Sequence, residues 1–449
     1  MINIFIFRRD LRTFDNTALN QLIIKYPSIN ILPIFIFNKK QIDKNSNPYY
    51  SHNSVQFMFD CFNDIPSLNF YMTNDNDISV LNILKTTFQI NAIGFNKDYT
   101  QFAIKRDEEI INWCSLNKID VITEDDYTLH KMGTILKDDK QAYLKFTPFY
   151  KRGIIIKPPA INNKYKNNFI KDKSNKFNYK HLIPEKNPNI KVNGGRNNAL
   201  KILKNLKNGL FKNYDNDRDY PYLDKTTKLS AYIKFGCISI REVYYSLPVK
   251  HGIIRELFWH DFYAYITYYF PERFSKSFIP KYDNFKWDNN DISKFDKWKN
   301  GKTGFPLVDA SMRQLNETGW CHNRSRMIVA SFLTKNLFID WKWGEKYFAS
   351  KLVDYDPSSN NGGWKWCASV GTDAQPYFRI FSPSAQLNKF DKDCLYVKKW
   401  IEELREVDNK IILNWENIKN YDDYKYNKPI VNYKETSKDF IKKFKFHLP

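Results

Sequence analysis

The first third of the chain alternates short apolar runs with amphipathic stretches. The apolar runs are rich in β-branched and aromatic residues and predict strands at 2–7, 29–37, 68–73, 90–95 and 119–124. The stretches between them predict helices near 16–25, 53–64, 78–88 and 101–116. Strand and helix in alternation predict a doubly wound parallel sheet, a Rossmann-like α/β domain covered on both faces.

The next segment loses this periodicity and is rich in Lys, Asn and Pro, as in "KPPAINNKYKNNFIKDKSNKF". That composition predicts a connector that runs over the surface. In the remainder of the chain, apolar residues recur at steps of three and four with few strand signals, which predicts a larger helical domain. We therefore expect an α/β domain at 1–127, a linker at 128–195 and an all-α domain at 196–449.

The first predicted strand is followed by "FRRDLRTFDN". Parallel sheets bind ligands beyond the carboxyl ends of their strands, so this stretch marks the edge where a ligand is expected. It lacks the glycine pattern GxGxxG, and the sequence does not indicate a dinucleotide in this domain.

The longest apolar runs, such as "INILPIFIF", are too short to cross a bilayer. The start, "MINIFIFRRDLR", places apolar residues before basic ones, the reverse of a secretory signal. We therefore expect a soluble intracellular protein without a membrane partner, in a cytoplasm or a nucleus. The six Cys form no CxxC pair and the seven His form no HExxH pattern, so we expect reduced thiols and no metal site.

The formal net charge of +21 suggests a polyanionic partner, most simply nucleic acid bound through its phosphates. A codon bias that favours Lys, Asn and Ile explains the same excess equally well. The charge therefore permits this function without identifying it.

Two segments early in the helical half concentrate binding groups. "TTKLS", starting at Thr226, offers three hydroxyls and a Lys before a helical run, as either a phosphate cradle or a simple N-cap would. "RELFWHDFY" places Glu256, Trp259, His260 and Tyr263 on one helical face. Aromatic side chains at this spacing form either a core or a ligand site.

Two later segments are similarly dense. "GWCHNRSRM" sets Asn323 and Met327 four residues apart with two Arg between them, as in a solvated basic face or a binding site. "NNGGWKW", from Asn360 to Trp366, combines short amides, a Gly pair and two indoles. Gly weakens a helix and Trp is costly to expose. The longer segment 352–383 around it clusters acids, amides, Gly and indoles without a hydrophobic period, which predicts a wall around a large planar polar ligand.

These segments, together with "KTGFPLVDASMRQL" and the extension "CASVGTDAQPYFRIFSP", resemble the signature segments of the DNA photolyase and cryptochrome family. The resemblance runs from "FRRDLR" almost to the C-terminus. It implies an antenna domain of α/β type and a helical domain that encloses FAD. It also implies a light-driven enzyme in which reduced FAD donates an electron to a pyrimidine dimer in UV-damaged DNA and recovers it after the dimer splits.

The resemblance assigns FAD contacts to Tyr214, Thr226, Thr227, Lys228, Leu229, Ser230, Arg326, Asp354, Asp356 and Asn360. Within this set, Asp354 and Asp356 match the acids at the flavin ring, with Arg326 as the partner of Asp354. Asn360 matches the residue that faces flavin N5. A neutral amide there can hydrogen-bond the ring without adding charge beside an anionic flavin.

Three indoles match the family's electron-transfer chain: Trp364, Trp341 and Trp287. Trp287 aligns only if one residue is inserted near "NNDISKF".

On the substrate side, the resemblance implies that Trp259 and Trp366 flank a base-flipped dimer. It also implies a catalytic and DNA-binding set that comprises Glu256, Trp259, Tyr263, Asn323, Arg324, Met327, Trp366 and Gln386. Glu256 would hydrogen-bond the dimer, and Arg324 and Gln386 would hold the strand.

The subfamily follows from three side chains. Asn323 stands where photolyases of six-four photoproducts carry His, and Met327 stands where DASH cryptochromes carry Gln. Asn360 is neither the Asp of plant cryptochromes nor the Cys of many animal ones. All three favour a class I cyclobutane pyrimidine dimer photolyase. Ile253 is a departure, because some members carry a Trp near the flavin there.

Other functions stay open from the sequence: a cryptochrome photoreceptor without repair, a six-four photolyase, or a colourless single-strand binder. The end at "KFKFHLP" leaves no room for a long signalling tail and disfavours the cryptochrome. A folate, a deazaflavin, a second flavin or nothing would occupy the antenna site. We expect a monomer, although no motif fixes the oligomeric state.

Overall fold

The computed structural model describes residues 1–164, 168–288 and 291–446. The insertion expected near "NNDISKF" and the last three residues fall outside these ranges. Five parallel strands form one sheet in the order β3-β2-β1-β4-β5. The strands are β1 Ile2–Ile6, β2 Ile31–Asn38, β3 Asn69–Thr73, β4 Ile90–Asn96 and β5 Asp120–Glu124. All five predicted strands are confirmed within about two residues, as is the α/β fold class.

The helices of the α/β domain also follow the predicted pattern. They are α1 Thr17–Lys25, α2 Lys39–Ile42, α3 His52–Cys61, α4 Asp77–Thr87 and α5 Gln101–Leu116. Only the short α2 was not predicted, because four residues are too few to show a helical period. Side chains of Asn16, Ser51 and Thr100 accept hydrogen bonds at the starts of α1, α3 and α5, which satisfies backbone N–H groups there.

The segment predicted to be a linker is partly buried. It contains the helix α6 Phe146–Gly153 and a 3₁₀ turn at Tyr179–Leu182. Leu129, Phe146 and Phe149 are buried in the same core as the sheet. The loss of periodicity correctly indicated irregular backbone, but its apolar residues pack inward rather than lying over the surface. The domain boundaries at 127 and 195 stay predictions.

The rest of the described chain is helical, with no strand. Its helices are α7 Arg196–Lys207, α8 Tyr214–Asp217, α9 Leu229–Lys234, α10 Ile240–Tyr245, α11 Gly252–Tyr269, α12 Ile292–Lys299, α13 Pro306–Thr318, α14 Asn323–Lys335, α15 Trp341–Lys351, α16 Pro357–Cys367, α17 Pro383–Phe390, α18 Leu395–Trp400, α19 Asn409–Leu413 and α20 Tyr433–Lys445. Further 3₁₀ turns lie at Phe62–Asp64, Pro221–Leu223, Pro271–Arg273, Pro280–Asn284, Glu402–Leu404 and Trp415–Asn417. The predicted helical domain is thus confirmed.

Two apolar cores cover the sheet, as the alternation along β1 shows. Phe5 contributes to one core and Ile4 and Ile6 to the other, because successive side chains of a strand point to opposite faces. The core on the Phe5 side continues into the helical half through α9, α10 and α11. The sheet and α11 therefore share one core, and this core fixes their relative positions.

A further core lies entirely among helices and contains Trp298, Trp341 and Trp364. All six Cys are free and buried. Within the described ranges no helix is long and apolar enough to span a membrane, and no cluster of three or more His, Cys, Asp or Glu side chains is arranged to hold a metal ion.

Candidate active site

Helix α16 forms one wall of the candidate site and contains the whole "NNGGWKW" segment. It is helical despite its two Gly because its N-terminus is well capped. Asp356 is the N-cap and accepts a hydrogen bond from the Ser359 N–H at 2.9 Å, and Pro357 occupies the first helical position.

The two Gly of α16 have different environments. A Cβ on Gly362 would lie 2.1 Å from the ring of Tyr263, so this Gly permits the close packing of α16 on α11. A Cβ on Gly363 would meet nothing within 4 Å in the described chain, so this Gly faces open space. Only Gly363 lies where a planar ligand has room to approach the helix.

The two indoles of the segment also face different surroundings. Trp364 is 3% exposed and packs in the all-helical core, where Gly344 lets α15 approach its ring. Trp366 is half-buried and lines a small recess with Tyr263 and Asp373. The structure therefore separates the two indoles, as the resemblance implied, although their roles stay predictions.

The other predicted members of the electron-transfer chain lie in or beside the same core as Trp364. Trp341 is 2% exposed, and Trp287 is half-buried against Phe285, with the ring centroids 4.6 Å apart. A fourth indole, Trp298, was not predicted. Its ring centroid lies 6.1 Å from that of Trp364.

Asp354 joins three segments of the predicted cofactor set. Arg326 of α14 donates to both of its carboxylate oxygens, at 2.9 and 3.1 Å. The Ser230 hydroxyl of α9 donates to the same carboxylate at 2.6 Å. This partly buried contact brings the "TTKLS" segment and α14 to the start of α16.

The Asp356 carboxylate faces the α/β domain. It accepts hydrogen bonds from Arg9, from the Tyr127 hydroxyl at 2.5 Å and from the α16 N-terminus. Burial alone would raise the pKa of Asp356, but Arg9, His260 and these hydrogen bonds outweigh it and hold the pKa well below its usual range. Its carboxylate is thus shared with the chain's own donors, and its expected contact with the flavin ring stays a prediction.

The "TTKLS" segment does not form a simple side-chain N-cap. Lys228 precedes α9 in a left-handed conformation, φ 54°, and no side chain caps the helix. Its ammonium instead donates to the backbone oxygens of Asp224 and Thr226, at 2.7 and 3.0 Å. The Thr226 hydroxyl is buried with no hydrogen-bond partner among the described residues. A buried hydroxyl without a partner is costly, so it marks a place where a polar ligand fits.

The residues present fit FAD on these observations. The Thr226 hydroxyl offers an unused donor, and Gly363 faces open space on α16. Tyr214 is half-buried on the same side as Arg218, whose guanidinium lies 5.8 Å from the Tyr214 ring centroid. Within the same segment as Thr226, the Thr227 hydroxyl accepts a hydrogen bond from the Leu229 N–H at 3.4 Å.

Helix α11 carries the predicted substrate side. Glu256 is paired with Arg218 at 2.6 Å, and burial raises the pKa of Glu256 against the opposing effect of Arg218. One face of Trp259 is covered by Phe146, whose ring is parallel to it at a centroid distance of 3.6 Å. Tyr263 follows on the same helical face, 5.6 Å from Trp259 between centroids. Ile253, the departure from the family, is buried in the shared core.

The start of α14 supplies the remaining predicted residues. Asn323 is exposed and Met327 is half-buried. Arg324 pairs with Asp219 at 2.6 Å and lies 3.5 Å from the Gln386 side-chain oxygen.

The neighbouring His322 belongs to the core. It is 1% exposed, and its Nδ1 accepts a hydrogen bond from the Arg324 N–H at 3.1 Å as the N-cap of α14. Burial, followed by the nearby Arg324 and Arg326, lowers the pKa of His322 to about 4. This His is therefore neutral at physiological pH and does not reach the pocket.

Sequence reasoning missed several residues that contact the site: Arg9, Tyr127, Phe146, Arg218, Trp298 and Glu345. Arg218 had a local signal, because it lies one helical turn after Tyr214 in "YDNDRD". Arg9 lies at the sheet edge where a ligand was expected. Phe146 and Glu345 had no local signal in the sequence, since each contacts its partner only through the tertiary fold.

A second cavity, of about 300 Å³, lies at the carboxyl edge of the sheet. We call it the sheet-edge cavity. Its lining contains eight aromatic, four cationic and two acidic side chains: Phe7, Phe35, Phe37, Tyr49, Tyr50, Phe102, Phe235, Tyr355, Arg8, Arg9, Arg106, Lys234, Asp77 and Asp98. Lys234 is desolvated there, which lowers its pKa to about 7, and it donates to the Ser54 hydroxyl at 3.3 Å. Such a lining suits an anionic ligand with a planar ring.

Comparison with known proteins gives matches to both halves of the chain. Residues 3–159 match the sequence model described as DNA photolyase, and residues 253–446 match the one described as the FAD binding domain of DNA photolyase. Two relatives named deoxyribodipyrimidine photo-lyase are similar over most of their length. The one from Buchnera aphidicola of Acyrthosiphon pisum is 35% identical over 99% of this chain and 96% of that protein. The one from Alkalihalophilus pseudofirmus is 34% identical over 90% of this chain and 88% of that protein.

A solved structure is also similar along the whole chain. The archaeal photolyase from Sulfolobus tokodaii has a TM-score of 0.87 and 36% identity, with 99% of this chain and 100% of that chain covered. Its crystal structure contains two FAD molecules and is described as implying a novel light-harvesting cofactor.

Proposed function

The chain belongs to the DNA photolyase family, and we propose that it repairs cyclobutane pyrimidine dimers in DNA by light-driven electron transfer from reduced FAD. The observation that carries this proposal is the division of α16. Its Trp364 is sealed in a core of aromatic side chains, whereas its Trp366 opens toward α11. One helix thus serves both an electron path and a lesion pocket, with Asn360 and Gly363 between them.

When bound, reduced and photoexcited FAD supplies an electron to the dimer and takes it back after the ring has split. Thr226, Ser230 and the Asp354–Arg326 pair would hold this cofactor. Asp354 has both oxygens committed to Arg326, so its position is fixed before the cofactor arrives. That preorganisation reduces the ordering that binding requires.

On the lesion side, the residues offer stacking, one acceptor and an apolar contact. Trp259 has one face covered by Phe146, which leaves the other for a flipped base. Glu256 reaches the polar edge of the dimer once its bond to Arg218 is exchanged, and Arg218 is then released for a phosphate. Met327 presents a polarisable surface to the apolar cyclobutane side.

The same pocket disfavours a six-four photoproduct. That lesion requires a proton transfer to a migrating hydroxyl, which suits a His with a pKa near neutrality. His322 is buried, caps α14 and has a pKa of about 4, and Asn323 stands at the exposed position beside it. Neither residue is a proton donor at neutral pH, so the proposed substrate is the cyclobutane dimer in UV-damaged DNA.

Chromatography of each lesion oligonucleotide after blue illumination with the chemically reduced enzyme tests this proposal. We expect restoration of the cyclobutane dimer and none of the six-four product. Glu256→Gln should slow repair and leave FAD bound, whereas Glu272→Gln, a matched exchange on an exposed glutamate, should leave both repair and FAD binding unchanged. Comparable restoration of both lesions would contradict the assignment. A cryptochrome without repair would bind FAD and restore neither.

We also propose that a second, light-harvesting chromophore binds in the sheet-edge cavity. Two observations support it: the aromatic and cationic lining, and the second FAD of the Sulfolobus tokodaii relative. The cationic groups favour an anionic chromophore, either a flavin phosphate or a folate.

Release of the bound chromophores by heat, followed by liquid chromatography, would identify the second one. Lys234→Met should lower its yield and leave the yield of FAD from the helical domain unchanged. Lys40→Met, at an exposed position on the nearby α2, provides the control. An unchanged second-chromophore yield in Lys234→Met would place that molecule elsewhere.

A further inference from the structure

Asn360 is held by a residue of the neighbouring helix, Glu345 of α15. The Asn360 amide nitrogen donates to the backbone oxygen of Glu345 at 3.1 Å and to its carboxylate at 3.0 Å. Glu345 is 4% exposed, so solvent does not compete for these bonds. Both hydrogens of one amide group are thereby committed to one residue.

This contact determines which way the amide points. A backbone carbonyl and a carboxylate oxygen are both acceptors, so only the NH₂ group of Asn360 satisfies them. Although the oxygen and nitrogen of an Asn amide have similar shapes, the two acceptors of Glu345 decide which of them faces α15. The Asn360 carbonyl oxygen must point away from α15, and no donor of the described chain reaches it. It is an acceptor presented to the open side of α16.

We propose that Glu345 is a positioning residue that fixes the Asn360 amide with its carbonyl oxygen toward the flavin ring. This inference rests on the proposed function and on the family resemblance, which implies that Asn360 faces flavin N5. Oxidised flavin has only an acceptor at N5, whereas reduced flavin carries an N5–H donor. An acceptor fixed opposite N5 therefore favours the reduced form, which is the form that the repair reaction uses.

The surroundings of Glu345 agree with an acceptor role. Burial raises its pKa to about 7, against the Asn360 hydrogen bond and the charge of Lys365. Protonation of one carboxyl oxygen would still leave the other as an acceptor. Lys365 donates to the backbone oxygens of Arg273 and Phe274, so it acts on Glu345 through space.

A charge effect alone would have the opposite sign. Removal of a carboxylate near a flavin makes reduction easier, because the reduced ring is anionic. Loss of the orienting contact should make reduction harder, because the freed amide can turn its NH₂ toward N5 of the oxidised ring. Two conservative variants separate these effects. Glu345→Gln keeps an acceptor within reach and loses the charge, whereas Glu345→Asp keeps the charge and withdraws the acceptor by one methylene.

The experiment measures the midpoint potential of bound FAD and the rate of dark reoxidation in air at pH 8 for the holoenzyme and both variants. We expect Glu345→Asp to lower the potential and to speed reoxidation about tenfold, the effect of one hydrogen bond. Glu345→Gln should not lower the potential, because it retains the acceptor and loses only a negative charge. In an Asn360→Ala background, Glu345→Asp should produce no further shift, because the orienting effect acts through that amide.

The inference is overturned if Glu345→Gln shifts the potential while Glu345→Asp does not, which is the pattern of charge alone. It is also overturned if neither variant shifts it or if the effect of Glu345→Asp persists without Asn360. If Glu345→Asp does not retain FAD, Glu345→Met takes its place with the same expectation. Dimer repair by the unaltered protein is scored separately, so failure of the proposed function and failure of the Glu345 contact give different results.

Discussion

The core side and the pocket side of the site differ although they are built from neighbouring residues. On α16, Trp364 is buried among aromatic side chains and Trp366, two positions on, is half-buried beside Tyr263. At the start of α14, His322 is buried as the N-cap and Asn323, the next residue, is exposed. Two short segments thus each contribute one side chain to the protein interior and one to the pocket. The position of a side chain around its helix therefore decides whether it faces the core or the pocket, even for residues that are adjacent in the sequence.

The largest expected effect tests the core side. Trp364→Phe should block light-driven reduction of oxidised FAD, because the electron path loses the member of the core that lies on the flavin-facing helix. The measurement is loss of the oxidised flavin absorption under illumination with an external donor. Repair by the chemically reduced variant should be retained.

Trp298→Phe sharpens this result, because Trp298 is the indole found 6.1 Å from Trp364. If electrons pass through Trp341, the FAD of the Trp298→Phe variant should be reduced by light at nearly the normal rate, whereas that of the Trp341→Phe variant should not. The reverse outcome would redirect the path through Trp298.

The Gly pair tests whether the two sides of α16 differ in packing. Gly362→Ala should destabilise the protein by about 3 kcal/mol, because its Cβ would overlap the Tyr263 ring. Gly363→Ala meets open space and should stabilise the protein without cofactor by about 0.5–1 kcal/mol, as Ala does in helices. Urea denaturation of the two apoproteins checks both values. The same Gly363→Ala protein should bind FAD less tightly if the ring approaches the helix there, and unaltered FAD affinity would place the ring elsewhere.

The burial of His322 should make the free energy of unfolding depend on pH under acidic conditions. Its pKa is lowered to about 4, so between about pH 6.5 and 4 the unfolded chain binds a proton that the folded chain does not. The free energy of unfolding should therefore fall as the pH drops through this window, by about 2–3 kcal/mol from this group. His322→Asn keeps a capping side chain without titrating there. Its stability should decline less than that of the unaltered protein, as measured by urea denaturation at each pH. Equal declines would place the His322 ring in water.

The pocket side is tested by Trp366→Ala. This variant should weaken binding of a dimer-containing oligonucleotide by about 1–3 kcal/mol, the usual contribution of one stacking contact. Light-driven reduction of its FAD should be nearly unchanged. If Trp366→Ala and Trp364→Phe show the same defect, the division of α16 into two sides is wrong.

The smallest expected effect concerns the outer surface of the pocket. DNA affinity should fall with salt, and Arg324→Gln should reduce the slope of log K against log salt by about 0.7–0.9, the contribution of one phosphate contact. Lys389→Gln, on α17 beyond the Gln386 turn, is a neighbouring control for a general loss of charge. If the affinity does not depend on salt, codon bias rather than DNA binding would explain the net charge of +21.

The sequence by itself determined the elements and their class. The five strands and the four longer helices of the α/β domain follow local periodicity, which depends on neighbours within a few residues, and their predicted bounds agree within about three residues. Motifs with local spacing, such as Glu256, Trp259 and Tyr263 on α11, were predicted for the same reason. The Asp354–Arg326 pair was expected only through the family resemblance.

Only the tertiary structure decided which side chains meet across the chain. Arg9 reaches Asp356 across 347 positions, and Phe146 stacks on Trp259 from a segment predicted to be a surface linker. Glu345 holds Asn360 from a different helix, and no local pattern distinguishes it from a solvated glutamate. Such contacts depend on how helices pack, and packing is a property of the whole core. A periodic pattern specifies which face of an element is buried, but it does not specify what that face is buried against.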